Sequence, residues 1–225
     1  MKAQDPAVWA WDEIGPEGLR FYGKMSASIS HEVKNVLAII NENAGLLNDL
    51  VMMAERGVAV EPQRLVGIAG TIDKQVRRAD LIAKNLNRFA HSADHLQGEV
   101  DLAEWVELAL ALVGRFASNR GIRLEFSPPP ATPPVQSAPF FLLNLIWLGL
   151  DMAMELAGPD KTVLLQIEVA AGRLGLVYDR LKPLSDNDWD FVTDGHVRSL
   201  ALLLGANPWQ DVKSGRFGFD LPCER

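Results

Sequence analysis

The chain has 225 residues, a net charge of −7 and a pI near 5.1. Its 48% hydrophobic and 23% charged residues exclude wholesale disorder, a collagen-like repeat and a multi-span membrane protein. The acidic balance argues against a nucleic-acid binder, which needs a basic stripe. A single cysteine, Cys223, rules out an intrachain disulfide framework and suits a reducing, cytoplasmic setting.

The stretch from Met1 to Gly18 lacks the apolar core of a secretory signal, and Trp9 and Trp11 read as a packing anchor. Gly18-Leu19-Arg20-Phe21-Tyr22-Gly23-Lys24 has the spacing of a P-loop. Met25 follows where Ser or Thr belongs, no strand precedes it and the loop positions are bulky, so it is set aside as a phosphate site. From Ile29 to Ala54 the positions Ile29, Val33, Val36, Ile40, Asn43, Leu47, Leu50 and Ala54 recur in steps of four and three, a heptad seam broken once by Asn43. A second helix reads from Pro62, a residue suited to a helix first turn, to about His91. Its expected seam is Leu65, Ile68, Ile72, Val76, Ala79, Ile82, Leu86 and Phe89. The link from Glu55 to Glu61 is short enough to make the two helices antiparallel. Each then buries one face against the other, so a homodimer closing a four-helix bundle is expected. His91 and His95 lie four apart, but no third ligand accompanies them, so no metal is expected.

The texture changes near Gly98, which divides the chain into residues 1–97 and 98–225. Asp101 is a plausible N-cap for a helix from Leu102 to about Asn119. Ile122 to Phe126 reads as a strand, and the proline-rich run Ser127 to Pro134 as a loop. A helix over Ala138 to Ala157 follows, then strands over Thr162 to Val169 and Arg173 to Asp179, turning at Gly172 and Arg173. A last helix from about Gly195 to Leu204 and a strand from Gly215 to Leu221 close the chain. The stretch Ala138 to Leu150 is apolar but shorter than the ~20 residues a bilayer span takes, so no membrane association is expected. The fold class is therefore α+β: an antiparallel helical hairpin followed by a two-layer α/β sandwich with mostly antiparallel strands.

On the first seam, His31, Lys34 and Asn35 point away from the bundle core and share one exposed stripe, with Glu32 beside them. The bland reading is a solvated helix face. The chemical one is specific. A neutral imidazole is a nucleophile near neutral pH and can carry a phosphoryl group on nitrogen. Glu32 can take up the proton of the other ring nitrogen. Lys34 offers positive charge to phosphoryl oxygens, and Asn35 can orient a water.

The run Met25-Ser26-Ala27-Ser28-Ile29-Ser30-His31-Glu32-Val33-Lys34-Asn35-Val36-Leu37-Ala38-Ile39-Ile40 resembles the H-box of two-component sensor histidine kinases, with Val36 where that family commonly has Pro. Val76 to Phe89 resembles the partner helix of the same dimerisation domain, and Val100 through Arg120 the start of the kinase catalytic domain. The resemblance covers roughly residues 20–225. It implies a phosphoaccepting His31. It also associates an acid directly after the His, with an Asn or Thr one turn on, with phosphatase activity, a pattern that Glu32 and Asn35 fit.

The resemblance also implies an ATP site, and here its motifs are eroded. Asn144 to Gly149 lines up with the N-box, but Leu148 stands where a second Asn would hold Mg²⁺ and offers no oxygen donor. Asp179-Arg180-Leu181-Lys182-Pro183 aligns with the G1 box; Asp179 matches its adenine-reading Asp, and Leu181 and Pro183 replace both glycines. Gly195 to Leu200 lacks the repeated glycines of the lid. The expectation is thus a histidine phosphotransferase without ATP-dependent kinase activity, similar to sporulation and cell-cycle phosphotransferases. His31 passes a phosphoryl group between response-regulator aspartates, no cofactor is bound, and any Mg²⁺ comes with the partner regulator. About twenty residues precede the bundle, too few for a sensor region. Two alternatives stand beside this reading: a non-catalytic module that binds response regulators, and a response-regulator phosphatase using Glu32 and Asn35.

Overall fold

The computed structural model describes residues 6–170, 172–185, 190 and 195–223. The elements run α1 (Pro6–Glu55), α2 (Pro62–His91), β1 (Gly98–Val100), α3 (Leu102–Arg120), β2 (Arg123–Ser127), β3 (Val135–Ser137), α4 (Pro139–Glu155), β4 (Thr162–Ala170), β5 (Arg173–Asp179), α5 (Gly195–Leu204), β6 (Asn207–Asp211) and β7 (Arg216–Pro222). Trp9 and Trp11 carry side chains outside the described set. The chain divides into two compact units: Ser26–Arg88, and residues up to Met25 together with Phe89–Arg225.

The first unit is a helical hairpin. Its turn begins at Gly57, at φ 79°. The Val58 amide donates to the Met53 carbonyl at 3.0 Å and the Gly57 amide to Ala54 at 2.9 Å, a Schellman closure that needs the left-handed conformation glycine adopts freely. The α1 seam holds as far as Leu50: Ile29, Val36 and Leu50 are buried, and Val33, Ile40, Asn43 and Leu47 half-buried, whereas Ala54, at the helix end, is exposed. The side-chain amide of Asn43 donates to the Ile39 carbonyl at 2.8 Å. The α2 seam is corrected. Val76 is 52% exposed and Leu86 37%, while Gln75, at 8%, takes the inner position. A strict four-three spacing through Ile68, Ile72, Ala79, Ile82 and Phe89 places residue 75 inside and residue 76 outside, so the polar Gln75 holds the seam position.

The second unit is built on two sheets. β1 and β3 form a short antiparallel pair. The larger sheet has the order β2-β4-β5-β7-β6, with β2 parallel to β4 and the other pairings antiparallel. Residues facing α3, α4 and α5 are apolar and buried, among them Val163, Leu165, Leu174, Leu176, Phe217 and Phe219. α3 begins as its sequence requires, with the Asp101 carboxylate accepting from the Ala103 amide at 2.8 Å and from Glu104 at 3.4 Å. β1, β3 and β6 form in stretches where the sequence marks no element, β6 despite Pro208, and α1 starts at Pro6 and runs through Pro16. Pro208 is tolerated because β6 is an edge strand.

By length and composition Ile14–Glu55 is able to cross a membrane, at mean hydropathy 1.2 over its most apolar window, and is a longer candidate than Ala138–Leu150. Its later part carries Asn41, Glu42, Asn43, Asn48 and Asp49, groups that are expensive in hydrocarbon.

Candidate functional site

α1 places His31, Lys34 and Asn35 on its exposed side, with the seam residues Ile29, Val33 and Val36 turned inward. His31 is exposed, and its imidazole makes no hydrogen bond to the rest of the described chain. Glu32 is half-buried, and its carboxylate lies 3.8 Å from the Arg78 guanidinium on α2. Adjacent helix residues project ~100° apart, so Glu32 turns toward α2 while His31 turns to solvent. The structure thus brings together His31, Lys34 and Asn35, and couples Glu32 to Arg78. Sequence reasoning missed Arg78. Its only signal was a pair of consecutive arginines on the partner helix; which of the two faces α1 depends on helix phase. The Gly18–Lys24 segment lies inside α1 and forms no loop. His91 pairs with Asp94, Nδ1 to Oδ2 at 2.7 Å, and among the described residues no three metal-ligating side chains converge.

In the second unit, the positions aligned with nucleotide motifs are packed and tied down. Asn144 is buried in α4, its side-chain nitrogen 3.5 Å from Nε2 of His196. Leu148 sits half-buried on the same helix. Behind them Tyr178 of β5 is fully buried. Its ring stacks on Phe217 with centroids 4.7 Å apart, and its hydroxyl donates to the Ile146 carbonyl at 3.1 Å. Gly149 makes room for that ring: a Cβ there would stand 2.3 Å from it.

The segment after β5 is held against its neighbours along its length. Asp179 accepts from the Arg180 amide at 2.6 Å, and its other oxygen is 3.3 Å from Nε of Arg216. Arg180 takes a left-handed φ of 65°. Its carbonyl accepts from the Gly158 amide at 3.1 Å, the Lys182 amide donates to Leu156 at 2.8 Å, and the Leu184 amide donates to Val212 at 3.3 Å. Leu181 and Leu184 are buried. A loop fastened this way presents side chains and bonded amides, not a free backbone cradle. Gly195–Leu200 opens α5.

No family model matches the chain, and no curated protein matches it. Its similarities are to solved histidine kinase structures. The Acinetobacter baumannii histidine kinase AdeS aligns at 13% identity over 81% of this chain and 96% of its own, with a TM-score of 0.48. The mycobacterial sensor histidine kinase MprB aligns at 18% identity over 56% of this chain and 97% of its own, TM-score 0.46. Histidine kinase ThkA, in a complex with response regulator protein TrrA, aligns at 14% identity over 96% of this chain and 66% of its own, TM-score 0.46.

Burial pushes the Tyr178 hydroxyl well above the usual tyrosine range. The folded chain therefore holds this proton more tightly than the unfolded chain does. Its contribution to stability is complete below about pH 10 and is lost as pH rises through and beyond that value. Tyr178→Phe removes the titrating group, so alkaline unfolding followed by circular dichroism should be shallower in the variant. Identical slopes above about pH 10 would contradict the assignment.

Proposed function

We propose that the chain is a histidine phosphotransfer protein whose phosphoacceptor is His31. The observation that carries the reading is the exposed stripe of His31, Lys34 and Asn35 on an otherwise inward-packed helix. A ring nitrogen of His31 attacks the phosphorus of an aspartyl phosphate on a response-regulator receiver domain. The P–O bond breaks, the aspartate leaves as carboxylate, and the reverse step delivers the group to a second regulator. Lys34 stabilises the phosphoryl oxygens. Arg78 holds Glu32 beside the stripe, so the local negative charge is partly neutralised. The divalent metal of receiver chemistry belongs to the partner. Incubation with labelled, phosphorylated receiver domains should place label on His31; label only on the regulator, with none passing to the protein, would reduce the chain to a binding module.

The same reading makes the α/β unit a non-nucleotide domain. Asp179 is engaged by Arg216 and Arg180, and the bonds from Gly158, Lys182 and Leu184 fix the segment where a phosphate cradle would need free amides. Phosphoryl transfer from ATP depends on positioning and charge stabilisation of the phosphates. Calorimetric titration with ATP and Mg²⁺ should show no heat of binding at micromolar ATP, and labelled ATP should leave the purified protein unlabelled. Label on His31 from ATP alone would return the chain to the kinases.

The proposal includes a homodimer built on the helical hairpin. Leu37, Val51, Leu65, Val76 and Leu81 are all exposed on it, more apolar surface than a lone two-helix hairpin of this size keeps in water. The double variant Val51→Glu, Leu65→Glu should shift the mass in light scattering from dimer to monomer at micromolar concentration. A monomeric parent protein would remove the dimer from the proposal.

A further inference from the structure

We infer that an apolar pocket in the second unit, distant in chemistry from the phosphotransfer site, binds a small uncharged aromatic molecule. The pocket has a volume of about 280 Å³ and is enclosed by α1, the turn after α2 and the start of α4. Gly18, Leu19, Tyr22, Leu96, Phe140 and Phe141 are among the residues that line it. Leu19 is 73% exposed and Leu96 70%, so two of the lining side chains reach solvent.

Three features define the ligand class. The first is charge. Among the described residues the lining holds no Lys, Arg, Asp or Glu, so a phosphate or carboxylate would enter without a fixed counter-charge at the cost of its desolvation. The second is size. A volume of 280 Å³ stands at the small end of ligand pockets, which run ~300–1,000 Å³; it suits one or two fused rings and is too small for a peptide helix. The third is the wall itself. Phe140 is held by Phe21 at 5.6 Å, Phe89 at 6.2 Å, Tyr22 at 6.5 Å and Phe141 at 5.4 Å between ring centroids. The Phe140 ring is therefore fixed before a ligand arrives, and a further ring finds both faces and edges to pack on. Pre-organisation of this kind spares the ligand the entropy of ordering its own site.

Gly18 keeps the space open. A Cβ at that position would already come within 3.2 Å of the Phe140 ring, and any longer side chain would occupy the pocket.

Indole is the probe. Titrating the full chain with indole while following the methyl NMR signals of Leu19, Leu96 and Ala138 should give saturable shifts. Gly18→Leu, which also favours helix, should weaken that binding by about tenfold or more with the circular dichroism of the parent retained. Gly45→Leu lies on the same helix where a side chain meets nothing within 4 Å, and should bind indole as the parent does. Where Gly18→Leu does not fold, Leu96→Ala, which shortens one of the lining side chains, takes its place and should weaken binding in the same assay. Shifts that fail to saturate, or that survive Gly18→Leu unchanged, would overturn the assignment. A change of oligomeric mass on Gly18→Leu without saturable indole binding would give this face to a second copy of the chain and overturn it equally.

Discussion

His31→Ala should abolish phosphoryl acceptance while leaving the fold intact. Transfer requires a nitrogen nucleophile, and alanine offers none. His31 is exposed and makes no hydrogen bond within the described chain, so its loss should change stability by no more than ~0.5 kcal/mol, as for other surface substitutions away from special features. Lys34→Ala tests the neighbouring cation. A charge-assisted contact to a phosphoryl oxygen is worth ~1.5–3 kcal/mol, so transfer should slow by at least about tenfold while His31 remains the labelled residue. Arg78→Ala should act differently. The Glu32–Arg78 pair is half-exposed, and such pairs contribute ~0–1 kcal/mol, so unfolding midpoints should barely move. The readout is single-turnover transfer from a phosphorylated receiver domain, with unfolding of each variant measured alongside. Label carried by His31→Ala at the parental level would place the acceptor elsewhere.

The hairpin was legible because its information is local and repeated. Eight seam positions along α1 fix a face, and His31, Lys34 and Asn35 fall off that face by arithmetic alone. The Asp101 cap and the β4–β5 turn at Gly172 were legible for the same reason: each is decided by two or three adjacent residues. What escaped was non-local or too short. β1 and β3 are three residues each, fewer than alternation needs to show itself. Pro208 hid β6, because only the sheet order reveals that it lies on an edge. α1 runs through Gly15, Pro16 and Gly18, residue types of low helix propensity. The exchange of Gln75 for Val76 on the inner face of α2 follows the strict four-three spacing through Ile72 and Ala79, and was hidden because the residue at that position is polar and its neighbour apolar. The Glu32–Arg78 pairing needs the register of one helix against the other. The close approach of Gly149 and Tyr178 likewise joins two elements with no shared pattern.

That approach sets the largest stability effect expected. Gly149→Ala should destabilise the chain by about 3 kcal/mol, although alanine is the better helix former by ~1 kcal/mol. Gly149 lies inside α4, and an added Cβ would stand 2.3 Å from both Cζ and the hydroxyl of Tyr178. The ring has no easy retreat. It stacks on Phe217 at 4.7 Å and meets Phe219 edge-on at 6.3 Å, and its hydroxyl is held by the Ile146 carbonyl. Moving it costs the strain of overpacking, typically ~1–3 kcal/mol and occasionally more, and leaves a buried hydroxyl unpaired, a further ~1–3 kcal/mol. These costs exceed the propensity gain. At ~2–4 °C per kcal/mol for a chain of this size, the thermal midpoint should fall by about 10 °C. A double variant separates the clash from other causes. Tyr178→Leu removes the ring, so Gly149→Ala made in that background should cost much less than in the parent, a positive coupling measurable by a double-mutant cycle. If Gly149→Ala raised the thermal midpoint instead, helix propensity would have prevailed, and the packing of α4 on Tyr178 would have to be looser than described.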